Sequence, residues 1–411
     1  MKRVIVIGGG ASGLMAAIAA AGQGARVVLA EKNRLPGKKL LATGNGRCNF
    51  SNRDQRLSHY RSGRPELVKA VLEAFSMEDT VSFFEELGIL VKDRAGYLYP
   101  ASGQASSVAE VLRLEVRRLS GQRLIKEAYN TEVLSVKKEG GVFRVETEGW
   151  TYEGEAVVLA CGSEAAPKTG STGDGYRFAQ SLGHRVIPPL PALTGLYAYE
   201  NDRGALAGVR ADAKVTLFID HERAEEEEGE VQFASYGLSG IPVFQVSRYV
   251  SRALPEGRDC EIELDLCPGR SAQELEALIR GRKERLGERR GTDILLGMFP
   301  EKLSAVLLGR AGISLKKSRR EWTDADCARL AGQIKGLSFR IFGCRGYEQA
   351  QVCTGGVPLS ELKGSTMESA VVPGLYLAGE LLDVDGACGG YNLQWAWSSG
   401  YLAGLNAASE R

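Results

Sequence analysis

Three glycines near the N-terminus constrain this chain more than any other feature. Gly8, Gly10 and Gly13 form a Gly-x-Gly-x-x-Gly directly after the apolar run Val4–Ile7 and at the head of the alanine-rich stretch Ser12–Gly22. A short β-branched run reads as a buried parallel strand. The next segment reads as a helix and Arg26–Ala30 as a second strand, the punctuation of a βαβ unit. Each glycine then has its own duty: Gly8 permits the tight turn, Gly10 lets the backbone approach a pyrophosphate, and Gly13 lets helix and strand pack closely. The helix start, at Ala11 and Ser12, offers N–H groups and the positive end of its dipole to phosphates. Glu31 closes the second strand 18 residues after Gly13, where a carboxylate accepts the ribose hydroxyls of an adenosine. The motif predicts a dinucleotide site and leaves NAD and FAD open.

The far end of the chain favours FAD. Gly374-Leu-Tyr-Leu-Ala-Gly379-Glu380 is a short apolar strand ending in glycine and an acid, which brings the acid to a ribityl chain. The following helix, Tyr391–Ala407, begins at Gly389-Gly390-Tyr391-Asn392. Its N-terminus would face the N1–C2=O edge of the flavin, where negative charge collects on reduction. There is no second Gly-x-Gly-x-x-Gly and no paired-cysteine motif after Glu31. A dedicated nicotinamide domain and a flavin disulfide reductase are therefore not expected. NADH or NADPH, as the expected electron donor, visits the flavin without a fold of its own.

At 411 residues the chain has room for two to three units of about 150 residues. Its texture changes at Pro188-Pro189-Leu190-Pro191. The expected fold is α/β. A Rossmann-type FAD domain forms from residues 1–190 and 348–411, interrupted by a β-rich part, 191–270, and a helical part, 271–347. Amphipathic helices are predicted over Glu66–Leu87 and Val108–Leu119. The 51 glycines exceed the usual ~7% but lack a collagen period. Three histidines make a histidine metal site unexpected, and no metal is predicted. Eight cysteines without a C-x-x-C pair read as reduced, cytoplasmic thiols. The N-terminal run is interrupted by Gly8-Gly9-Gly10, and no apolar stretch reaches the ~18 residues of a membrane span.

The chain resembles the YhiN-like flavoproteins, the BaiN/RdsA family also labelled aminoacetone-oxidase-like. Four segments carry the resemblance: Val6–Gly13, Gly37–Asn52 (GKKLLATGNGRCNFSN), Tyr236–Pro242 (YGLSGIP), and Gly379–Gly386 through Gly389–Ala396. The resemblance implies FAD in a split Rossmann domain, with an insert of a β-barrel-like and a helical part. It places Lys38, Lys39, Thr43, Gly44, Asn45 and Gly46 along the cofactor. Lys32, Val133, Asp385 and Leu393 complete the expected contacts with the residues named above. Members are linked to reduction of activated C=C bonds, one branch acting on unsaturated steroid ketones and another on uridine of ribosomal RNA. Val158-Leu-Ala-Cys-Gly-Ser163 and Cys388 depart from the family pattern.

Reduction of a C=C bond needs a hydride and often a proton donor on the opposite side. Cys48 and Tyr391 are the candidates for that donor, with packing roles as the plainer reading. Nine bases against Asp54 alone lie between Lys32 and Arg64, and Arg280–Arg285, Arg289-Arg290 and Lys316–Arg320 add further basic clusters. They either grip a phosphate backbone or form solvated faces, so the substrate is a small molecule or RNA. An oxygen-using amine oxidase and a non-catalytic FAD-binding partner of RNA or the ribosome are the rival readings. Oligomeric state is not encoded in any pattern here.

Overall fold

The computed structural model describes residues 1–199, 203–285, 291–316 and 321–409. Arg289, Arg290 and residues 317–320 of the basic clusters lie outside them. The chain divides into two compact units, Met1–Leu190 with Gln351–Arg411, and Pro191–Ala350.

The first unit is built on β1 (Arg3–Ile7), α1 (Ala11–Gly22), β2 (Arg26–Glu31), α2 (Ala105–Gly121), β3 (Ile125–Tyr129), β4 (Ala156–Leu159), β5 (Leu375–Leu377) and α3 (Tyr391–Ala408). The strands form one parallel sheet in the order β5-β4-β1-β2-β3. Val4, Ile5 and Val6 are buried, as strands covered on both faces require. Helix α1 is buried from Ser12 to Ala21, because α3 packs along it. The two helices approach backbone to backbone: a Cβ on Gly400 would lie 2.4 Å from the Ser12 carbonyl oxygen, and one on Gly404 2.1 Å from that of Ala16. Small residues therefore set this crossing, and they join α1 to α3.

The segment 66–87 is two helices, Pro65–Ala74 and Met77–Glu86, not one. Apolar spacing continues through the break, but Ser76 restarts the helix. Its hydroxyl accepts from the Asp79 N–H while the Asp79 carboxylate accepts from the Ser76 N–H, a capping box. The helix expected over 108–119 extends over Ala105–Gly121.

The second unit is a closed antiparallel barrel of six strands: Leu196–Ala198, Gly237–Ser239, Glu222–Ala234, Arg210–Ile219, Cys260–Asp265 and Leu337–Cys344. The last of these lies inside the segment expected to be helical and closes the barrel against Leu196–Ala198. Helices Ala272–Arg285, Glu301–Arg310 and Asp324–Lys335 share one apolar core with the barrel, with Ile262 and Leu264 beside Leu275, Leu307 and Leu330. The β-rich and helical parts are thus one body. Among the described residues no helix is long and apolar enough to cross a membrane.

Candidate functional site

The site lies at the carboxyl ends of the parallel strands, where open α/β sheets bind their ligands. Gly8, after β1, has φ +100°, and a Cβ there would sit 2.5 Å from the Ala160 carbonyl oxygen. A Cβ on Gly13 would sit 1.8 Å from the Gly8 carbonyl oxygen. Gly10 is different, because a Cβ there would meet nothing within 4 Å. The first two glycines are needed by the fold, and the third faces open space. Gly10 is also the N-cap of α1, and no side chain caps that end. Ala11 and Ser12 form its first turn.

Glu31 ends β2 and is buried. One carboxylate oxygen accepts from the Gly9 N–H at 2.7 Å and the other from the Asn33 N–H at 2.7 Å. Its neighbour Lys32 donates to Asp174 at 2.6 Å and Thr172 at 2.5 Å. Burial opposes the charge on Asp174, but the hydrogen bonds from Lys32 and Thr172 hold its carboxyl below the usual range. The Thr131 N–H bonds the Glu31 carbonyl at 2.9 Å, so the chain runs from β3 past Glu31 to Val133, a buried residue.

The loop after Gly37 carries a run of left-handed backbone: Gly44, Asn45 and Gly46 have φ of +55°, +52° and +82°. Such a run turns successive N–H groups toward one side, as anion-binding nests do. Thr43 donates to the Leu40 carbonyl, and Lys38 is exposed. Lys39 reaches across to Glu380 at 2.7 Å. The Ser163 hydroxyl donates to the same Glu380 oxygen at 2.8 Å. Ser163 and Cys161, which depart from the family pattern, are thereby accounted for: one holds Glu380, and the other bonds the Ile7 carbonyl at 3.5 Å. Gly379, with φ +72°, has Ser12 against it, 2.5 Å from where a Cβ would lie. Asp385 is buried and pairs in register with Arg61.

Gly390 is the left-handed N-cap of α3, with φ +98°. Asn392 ties the preceding loop down, accepting from the Gly386 N–H and donating to the Gly386 carbonyl, both at 2.8 Å. Leu393 follows, half-buried. Tyr391 is buried beneath His59, whose ring stacks on it at 4.4 Å and 18°. His59 in turn meets Asp54, Nε2 to carboxylate, at 2.9 Å. The Asp54 carboxyl is held far below the usual range, first by Arg56 and then by His59. Cys48 is fully buried, and burial pushes its thiol up to about 11. The histidine has no local signature in the sequence; only its contacts mark it.

These residues fit a dinucleotide: an uncapped helix start with open space at Gly10, a buried carboxylate ending β2, and a loop of left-handed backbone at Gly44–Gly46. The buried Asn49 Oδ1 has no hydrogen-bond partner among the described residues, an acceptor left over by the protein at the same loop. The arrangement is that of a Rossmann-type dinucleotide-binding protein.

A family model described as HI0933-like protein Rossmann domain matches residues 2–406, and the chain belongs to that family. It is 41% identical over 413 residues to a 3-dehydro-bile acid delta(4,6)-reductase of Clostridium scindens, with 100% of both chains covered. It is 30% identical to a ribosomal RNA dihydrouridine synthase of Haemophilus influenzae, covering 99% of this chain and 98% of that one. An E. coli quinol fumarate reductase shares the fold, with a TM-score of 0.50 at 17% identity, over 99% of this chain and 70% of that one. Family and site together make the chain an FAD-dependent oxidoreductase of the Rossmann class.

Proposed function

We propose that the chain reduces a C=C bond conjugated to a carbonyl in a small, steroid-like enone, with FAD as cofactor and NADH or NADPH as electron source. The full-length 41% identity to a reductase of such a compound is the observation that carries this reading. When bound, reduced FAD supplies a hydride. Glu31 would take the adenosine ribose, the α1 start and Gly10 the pyrophosphate, and Gly44–Gly46 with Asn45 the loop side of the cofactor. Lys38, Lys39 and Glu380 would line its polar middle, with Val133 at the adenosine end and Asp385 and Leu393 near the ring. The α3 start, at Gly390, Tyr391 and Asn392, would face the ring. The eight free cysteines suit a reducing cytoplasm.

The test is anaerobic. Protein reconstituted with FAD and reduced with NADH or NADPH is mixed with 3-oxo-4-ene and 3-oxo-4,6-diene steroids, and flavin absorbance is followed. Rapid return of the oxidised spectrum with the saturated product supports the reading. No FAD uptake, or no reoxidation by any enone, sinks it.

A second reading, uridine in ribosomal RNA, has its own support. On the barrel, Tyr199 and the exposed Phe342 lie 4.6 Å apart, Tyr197 stacks on Phe342, and Arg345 sits over Tyr236. Rings with guanidinium groups over them suit unpaired bases. The basic run 32–64 supports it less, since Lys32, Lys39, Arg53, Arg56 and Arg64 all pair with acids. RNA binding that weakens steeply with salt, with dihydrouridine formed, would favour this reading over the first.

A further inference from the structure

Protonation of the second carbon of the C=C bond requires an acid, and the groups around the α3 start differ in their ability to supply one. Cys48 is fully buried, with its thiol pushed up to about 11. Burial also raises the phenols of Tyr60 and Tyr391, and the charge of Asp54 raises Tyr391 further. Burial disfavours the thiolate and phenolate forms of these groups. One imidazole, that of His59, lies beside them on the Tyr391 ring.

His59 is held from three sides. Its Nε2 meets the Asp54 carboxylate at 2.9 Å, and Asp54 is itself clamped by Arg56 at 2.5 Å. Its ring lies flat on Tyr391, the first residue of α3. Its backbone carbonyl accepts from the Ala387 N–H at 2.8 Å, and Tyr60-Arg61 pairs with Asp385-Gly386. The loop that leads into α3 and the segment that carries His59 are therefore one ladder. With Nε2 committed to Asp54, Nδ1 has no hydrogen-bond partner among the described residues, and the side chain is 24% exposed. The Tyr391 hydroxyl is likewise without a hydrogen-bond partner among them, although the residue is 4% exposed. A carboxylate on one ring nitrogen and a free second nitrogen is the arrangement that orients a histidine for proton transfer.

We propose that His59 is the proton donor of the reaction, with Asp54 as its positioning residue and the Tyr391 ring as the surface that fixes its plane. The inference rests on the enone reading above. In the balanced step, a hydride from the two-electron donor adds to the β-carbon and the π pair moves to the carbonyl oxygen as an enolate. The proton on His59 then passes to the α-carbon as the carbonyl re-forms. The neutral imidazole regains a proton from water at its exposed edge. The groups facing it are Asp54 and Arg56 on its own segment, Tyr60 and Arg61 beside it, and Tyr391 of α3.

The test uses the FAD-loaded protein and His59→Gln, Asp54→Asn and the surface control His221→Gln. In His59→Gln, FAD content and reduction by NADH or NADPH should match wild type, while reoxidation by 4-androstene-3,17-dione falls about 100-fold or more. Asp54→Asn should fall between the two, and His221→Gln should match wild type. Independently of turnover, imidazole NMR of the wild-type protein should show this enone shifting the His59 resonance and leaving His184 and His221 unmoved. A His59→Gln protein that reoxidises at the wild-type rate overturns the inference alone, and so does an unmoved His59 resonance. Wild-type protein that no enone reoxidises overturns the parent reading, and this inference with it.

Discussion

Lys39 and Glu380, from opposite ends of the chain, meet at 2.7 Å, and the Ser163 hydroxyl donates to the same carboxylate oxygen. Both charged side chains are about three-quarters buried, at 25% and 21% exposure. Removing one partner leaves the other charge poorly solvated. Lys39→Met should lower unfolding free energy by about 1–2 kcal/mol in urea titrations, and Ser163→Ala by about 0.5–1 kcal/mol. Lys39→Met should also weaken FAD binding, read by cofactor retention on a desalting column.

Gly10 and Gly13 should separate folding from binding. Gly10→Ala places its methyl group in open space, at an ordinary extended backbone with φ −77°. Its stability should stay within about 0.5 kcal/mol of wild type, while FAD affinity falls at least about tenfold as the methyl meets the pyrophosphate. Gly13→Ala drives a methyl into the Gly8 carbonyl and should lose about 1–3 kcal/mol or fail to fold. Thermal melts with and without FAD tell the two apart. Equal behaviour of the two variants would contradict this division of roles.

Gly404→Ala tests the helix crossing. Its methyl would lie 2.1 Å from the Ala16 carbonyl oxygen, and neither backbone can give way without parting α1 from α3. The expected loss is about 2–3 kcal/mol. Gly332→Ala, in a helix of the other unit where a Cβ meets nothing within 4 Å, should stabilise by up to about 1 kcal/mol. Denaturant titration of the two variants checks both signs.

Cys48 should be inert. Burial raises its thiol from an ordinary 9.0 to about 11, against a smaller lowering by Thr43. Between those values the unfolded chain releases a proton that the folded chain keeps. The stabilisation is therefore complete below about pH 9 and is lost as pH climbs toward 11. Cys48→Ala should flatten that alkaline decline relative to wild type. Peptide mapping after brief alkylation at pH 8 should find Cys48 unmodified in the native protein and modified in urea.

The sequence reveals what is local. Gly8 answers to a turn in its own backbone and Gly13 to a close approach to the Gly8 carbonyl, so their spacing alone announces β1, α1 and β2. The break at Ser76 is hidden because the apolar spacing of 65–86 continues across it, and only the reciprocal bonds with Asp79 mark the restart. The strand Leu337–Cys344 follows a charged helical segment, and its place in the barrel depends on partners at Leu196–Ala198. His59 is illegible for the same reason. Its meaning lies in Asp54 and, above all, in Tyr391, whose position beside it is fixed by the tertiary fold.

The crossing of Ser12 and Ala16 with Gly400 and Gly404 also sets a timetable for synthesis. The ribosome makes β1 and α1 before the interrupting unit, and the helix that covers them only after it. The interrupting unit, Pro191–Ala350, has its own core and emerges complete while the nucleotide fold is still waiting. The nascent chain must therefore keep the alanine-rich helix α1 uncovered while the whole interrupting unit is made. Any FAD site that needs both segments can assemble only once α3 has been made.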